Sequence, residues 1–209
     1  MRLSGKTVSE AVRFGWWTVV FGVVISAGGG CAGGPQNVLV SLPAYESPGV
    51  PAGPGASVRI EPVRDARSDA VGSLIGERVT LGVPMGMIEM KPIPTELMTQ
   101  MLATELTKMG GKVVSAGEEV RVAARLTKFQ VVTPATALYW DINGSIDLDL
   151  SASAQGGRKH DAGYAATCTD RTYVFPSEEI IRNVVSACVR EIGARVRTDT
   201  ALANFLRVR

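Results

Sequence analysis

The chain has 209 residues, with 22 Lys+Arg against 20 Asp+Glu, one histidine and three cysteines. Residues 1–30 hold three of the basic residues and one of the acidic ones, so the remainder carries 19 of each and is formally neutral. A neutral body lacks the basic stripe that nucleic-acid binding needs, and about 180 residues suit one domain with an ordinary core.

The first thirty residues read as an export signal. Arg2, Lys6 and Arg13 form a basic start, residues 14–25 are uncharged and largely apolar, and Ser26-Ala-Gly-Gly-Gly30 is a run of small residues suited to signal cleavage. Cys31 follows at once, the position at which bacterial lipoproteins receive diacylglycerol. Gly28 stands where such signals usually carry Leu. Two other readings remain open: ordinary cleavage near Ala27, or an uncleaved anchor, because the 17 uncharged residues 14–30 sit at the lower edge of a membrane span. The glycine run argues against the anchor, since each Gly costs a helix about 1 kcal/mol relative to Ala. Two or three acyl chains on Cys31 hold a membrane stably where one holds it marginally. Ala32 and Gly33 follow Cys31 in place of Asp, a pattern that permits sorting to the outer membrane in enterobacteria.

Residues 31–56 are a Pro/Gly-rich tether behind the cysteine, in which proline removes donors and glycine resists ordering. Val38-Leu-Val-Ser-Leu42 is its one apolar piece, either docked on the domain or leftover hydrophobicity.

The folded domain is expected over 57–209. Ser57-Val-Arg-Ile60 is a strand and Glu61 to Asp69 a polar turn; Val79-Thr-Leu81 and Met87-Ile-Glu-Met90 are short strands around a turn at residues 82–86. Thr95 caps a helix through Met109, whose Leu97, Met98, Met101, Leu102, Leu106 and Met109 make one apolar stripe. Gly110-Gly111 closes it. Lys112-Val-Val114 is a short strand, and residues 119–132 a long one with Val122, Ala124 and Leu126 on one face. Residues 141–154 alternate cleanly: Ile142, Ile146, Leu148 and Leu150 against Asn143, Ser145, Asp147, Asp149 and Ser151. One wet face and one buried face is the signature of an antiparallel sheet. Gln155-Gly-Gly-Arg158 turns into a strand over 159–173. Ser177 caps a second helix, with Glu178 and Glu179 in its first turn and Ile181, Val184, Val185, Cys188, Ile192 and Val196 facing the core. A last short helix covers 200–206. The expected fold class is α+β, a two-layer sandwich with two main helices on one face of an antiparallel sheet.

No nucleophile, phosphate-loop, metalloprotease or dinucleotide signature occurs in the chain, so catalytic, metal and cofactor-binding residues are expected to be none. Cys168 and Cys188 are the chemically pointed pair. Cys168 shares a strand face with Ala162, Tyr164 and Ala166, and Cys188 lies on the helix stripe that would cover it. In an oxidising compartment they are expected to bridge, the alternative being two small buried hydrophobes. His160, beside the Gly-Gly turn, reads as a solvated turn residue. Asp141, Asp147 and Asp149 read as solvated carboxylates, since calcium sites are built from loops. Asp65, Arg67 and Asp69 suggest a local ion-pair turn, and Tyr139-Trp140 a rim or core pair.

The Asp65-Ala-Arg67-Ser-Asp69 segment, the helix ending Leu106-Thr-Lys-Met-Gly110 and the strand at 142–150 together resemble the YajG-like bacterial lipoproteins. The hairpin at Gln155-Gly-Gly157 with Tyr164 after it, and Thr200-Ala-Leu-Ala-Asn204-Phe205, extend the likeness over about residues 55–206 plus the leader. The weak signal motif and the extra cysteines depart from that family. The resemblance implies a periplasm-facing lipoprotein of unsettled role with no known catalytic residues, and the residues after Cys31 place it in the inner leaflet of the outer membrane. The membrane would be met through the N-terminal lipid, with an envelope protein or cell-wall partner beyond it. The expected function is thus a non-enzymatic binding or structural module. The alternative is an auxiliary lipoprotein of an ABC-type lipid-transport system, which shares a tethered α/β layout.

Overall fold

A computed structural model describes residues 37–45, 55–68, 71–80 and 82–207. The leader, Cys31, most of the tether and Asp69 lie outside these residues.

The longest strands form the centre. Strand β7 (Val120–Thr133) pairs antiparallel with β8 (Trp140–Ala154), which pairs antiparallel with β9 (Lys159–Thr172). The other edge of β7 is covered in three successive pieces by one stretch of chain: β2 (Ser57–Ile60), β3 (Arg64–Asp65) and β4 (Leu74–Thr80), all parallel to it. Strand β4 folds back through a hairpin into β5 (Val83–Lys91), and β1 (Val38–Ser41) adds to β5 in parallel. The apolar piece of the tether therefore docks on the domain. A two-residue strand, β6 (Lys112–Val113), pairs with β2.

Among the described residues three helices complete the domain: α1 (Pro94–Lys108), α2 (Glu178–Thr198) and α3 (Thr200–Arg207). The α1 stripe is core, with Leu97, Met98, Met101, Leu102 and Leu106 all buried, and the α2 stripe meets it in the same apolar cluster. Opposite them, Ile142, Ile146, Leu148 and Leu150 of β8 are buried, as their alternation predicts. The α+β two-layer class stands, and the sheet is mixed. The parallel pairs arise because the chain from 57 to 80 tracks β7 in its own direction.

Three local expectations are corrected. Thr95 does not cap α1: Ile93 holds the cap position without a side-chain bond, because Pro94, with φ preset and no N–H, takes the first helical turn. The β4–β5 turn is tighter than 82–86, since β5 already begins at Val83 and Gly82 has a positive φ of 80°. Strand β7 also changes phase. Its register with β8 shifts between Leu126 and Lys128, a bulge at Thr127, so the buried set passes from Val120, Val122, Ala124 and Leu126 to Phe129 and Val131.

Candidate functional surfaces

Cys168 on β9 and Cys188 on α2 are bridged, with Cα atoms 5.5 Å apart. The helix comes this close because Gly144 of β8 lies beneath it. A Cβ there would stand 3.0 Å from Val184 Cγ1 and 3.2 Å from Cys188 Sγ. Cys31, the expected lipidation residue, lies outside the described residues.

Among the described residues no helix packs on the other face of β7, β8 and β9, which carries the polar half of each alternation. Asp149 stands opposite Arg125, and Asp147 opposite Lys128, in the β7–β8 register. Opposite charges on neighbouring strands support one another, which accounts for these carboxylates without a ligand. Across β8 and β9 the facing charges also bond, Arg171 Nε donating to Asp141 Oδ1 at 2.8 Å. Two shallow clefts open on this face. One of about 520 Å³ is lined by Arg67, Glu77, Lys128, Gln130 and Asp147; the other, about 540 Å³, by Glu61, Arg64, Arg125, Asp149, Ser151 and Asp161. Both mix the two signs of charge.

Asp65 and Arg67 do form an ion pair. Arg67 donates from Nε and Nη2 to Asp65 at 2.8 and 2.6 Å, from Nη1 to the Leu74 carbonyl at 2.8 Å and from Nη2 to the Gly72 carbonyl at 3.0 Å. The guanidinium bonds hold the Asp65 carboxyl below its ordinary range, through the Arg67 side chain first. This fork ties the loop to the start of β4.

His160 is not a solvated turn residue. Its side chain is 16% exposed, its ring packs 5.9 Å from that of Phe205, and Nε2 lies 3.6 Å from Asp199 Oδ2. Asp199 also accepts from the Tyr164 hydroxyl at 2.8 Å and, through Oδ1, from the Leu202 amide at 2.9 Å. The imidazole is covered because α3 folds back over β9. The sequence signal was present in Phe205, whose ring needs an apolar neighbour, but its partner could not be read from spacing.

Tyr139 and Trp140 prove to be half of an aromatic rim. Trp140 meets Phe175 edge-on at 5.1 Å, and Tyr139 meets Tyr173 at 6.4 Å. Arg171 stacks 3.9 Å above the Tyr139 ring and Arg78 4.5 Å above Phe175. Tyr173, Val174 and Phe175, in the link before α2, were not singled out by periodicity because the run is too short to show one.

These features define a small two-layer α+β domain, tied by its own N-terminal strand and locked by an internal disulfide. The chain belongs to the family described as uncharacterized lipoprotein, whose model matches residues 49–207. Membership assigns it to the lipoproteins of the cell envelope. Protein XCC0632 from Xanthomonas campestris shares the fold, with a TM-score of 0.56 at 10% identity over 81% of this chain and 97% of its own. Lipoprotein GNA1162 from Neisseria meningitidis gives 0.36 at 14% identity over 66% and 99%. A minor lipoprotein from Acinetobacter baumannii gives 0.31 at 11% identity over 59% and 94%. No protein of curated function matches the chain in sequence.

Proposed function

We propose that this protein is a non-enzymatic binding or structural module, held by acyl chains on Cys31 in the inner leaflet of the outer membrane. It faces the periplasm and engages an envelope protein or cell-wall partner. The reading is supported by the asymmetry of the sheet among the described residues: helices fill one face, and the other is open along β7, β8 and β9 with two clefts of mixed charge. Within the lipoprotein family, the order of Asp65-Ala-Arg67, the 155–157 turn, Tyr164 and Asn204-Phe205 favours a YajG-like member.

The alternative, an auxiliary lipoprotein of an ABC-type lipid-transport system, calls for a long apolar groove between sheet and helices. That layer holds Met98, Met101, Leu148, Leu150 and Ile192, each at most 2% exposed, which favours the first reading. The test is a photoreactive side chain placed at Ser151 on the open face, compared with one at Arg190 on the outer side of α2, in living cells. Adducts to an envelope protein or to peptidoglycan from Ser151 alone are expected. Adducts from Arg190 alone would contradict the assignment of the face. A small-molecule turnover lost on deletion of the gene and restored by the purified protein would contradict the non-enzymatic role.

A further inference from the structure

The aromatic rim gathers four of the exposed large apolar side chains among the described residues. Leu138 is 79% exposed, Tyr173 76%, Val174 66% and Phe175 41%, and these side chains adjoin through the Tyr139–Tyr173 and Trp140–Phe175 ring contacts. Water gains nothing from such a group of side chains, and the packing of the domain does not need Leu138, Tyr173 or Val174. A surface of this kind marks a site of contact.

The point where the tether enters the domain identifies what the rim touches. Five residues separate Cys31 from Asn37, and a fully extended chain covers at most about 20 Å over that interval. A short chain of contacts joins the rim to Asn37. Its Oδ1 accepts from the Met87 amide at 3.0 Å; Met87 pairs with Glu77; and the next residue, Arg78, stacks on Phe175. A second contact comes from the far end of β1, where the Ser41 amide donates to Glu178 Oε1 at 3.3 Å, three residues after Phe175. A lipid on Cys31 would therefore hold this part of the domain against the bilayer. The side chains present suit that setting, because Tyr and Trp rings are amphipathic and collect at the headgroup layer of membranes.

We propose that the rim of Leu138, Tyr139, Tyr173, Val174 and Phe175 rests in the headgroup layer of the membrane that anchors the chain. It acts as a second contact that fixes the orientation of the domain and leaves the open sheet face turned to the periplasm. The proposal rests on the acylation of Cys31. Its binding is chiefly apolar, since Arg171 already pairs with Asp141 at 2.8 Å. Salt should change it little.

The chain supplies its own probe. Trp16 and Trp17 precede Cys31, so Trp140 is the only tryptophan of a chain that starts there. The mature protein, extracted from native membranes, is reconstituted in phosphatidylethanolamine–phosphatidylglycerol vesicles with brominated acyl chains. Flotation with the vesicles reads the anchor, and quenching of Trp140 reads the rim. The protein should float and lose Trp140 emission relative to unbrominated vesicles. The triple variant L138S/Y173S/V174S, which keeps the Trp140–Phe175 contact, should float equally and regain the emission, with its circular dichroism unchanged. A protein that floats without quenching overturns the rim proposal alone and points to a protein partner or a second copy at that surface. Quenching that survives in the folded triple variant does the same. A protein that neither floats nor carries acyl chains by mass removes the anchor reading, and the proposal with it.

Discussion

The Tyr45 hydroxyl donates to Glu105 Oε1 at 2.7 Å, joining the segment after β1 to the first helix of the domain. Glu105 is fully buried, and a buried carboxylate is costly unless paired. Lys108 Nζ at 2.8 Å and Arg197 Nη1 at 3.1 Å complete its partners, so α1, α2 and the N-terminal segment meet on one side chain. Burial first, and Glu105 second, push the Tyr45 hydroxyl well above its ordinary pKa, which keeps it a neutral donor.

Tyr45→Phe removes this donor and leaves the ring in place. A hydrogen bond to a charged acceptor contributes about 1.5–3 kcal/mol. The variant should lose stability in that range in urea titrations, without a change in m-value.

Gly193 on α2 makes the room that Tyr45 occupies, since a Cβ at that position would lie 2.6 Å from Tyr45 Oη. Gly193→Ala raises helix propensity, yet the clash should displace the tyrosine and cost about 1–3 kcal/mol. Hydrogen exchange at the Leu42 amide, which donates to the Lys91 carbonyl at 2.8 Å at the end of β1, should quicken in this variant; unchanged protection there would show that Tyr45 does not hold β1 in place.

The Cys168–Cys188 bridge closes an interval of 20 residues, for which the loop-closure argument gives about 3 kcal/mol. Reduction, or Cys188→Ala, should lower stability by that order and leave the fold intact, because Val184, Val185 and Ile192 still cover β8 and β9. A melting temperature insensitive to reductant would contradict it.

Asp199 caps α3 and receives Tyr164. Burial raises its carboxyl pKa, but the Leu202 amide, the Tyr164 hydroxyl, His160 and the Ala201 amide together outweigh it and leave the pKa lowered. The stability it contributes is therefore present above the unfolded pKa near 4 and lost as pH falls through the lower folded value. Asp199→Asn should be less stable than the parent at neutral pH. The two stability curves should approach each other only in acid, below about pH 4.

Arg67 is the guanidinium whose geometry matters, its side chain being 3% exposed with four hydrogen bonds. Lysine keeps the charge but cannot span Asp65 and both carbonyls, so Arg67→Lys should cost about 1–3 kcal/mol. Equal stability of the two proteins in denaturant would show the fork to be dispensable.

Much of the fold was legible because its signals are local. The period of two through 142–150 placed β8, two apolar stripes placed α1 and α2, and Ser177 does accept the Ile180 amide as an N-cap. The rest depends on partners distant in sequence. Nothing around Val38 shows that it pairs in parallel with Ile88, and nothing near Tyr45 points to Glu105. The bulge at Thr127 was hidden because a single extra residue moves the buried set from even to odd positions, and Lys128 beside Phe129 looks like noise in an otherwise regular strand. Of the candidate surfaces, the cysteine pair could be anticipated from a shared face and stripe. The rim could not, because Tyr139-Trp140 and Tyr173-Val174-Phe175 meet only once β8 and β9 are in register.

Lipid on Cys31 would hold this domain at the envelope, and the bridge would form in an oxidising compartment. The intact mass of the protein extracted from native membranes without reductant tests both parts together. The expected mass is that of a chain beginning at Cys31 that carries acyl groups and is two protons lighter than its dithiol form. A chain beginning at another small residue without lipid, or one retaining residues 1–30, would contradict it.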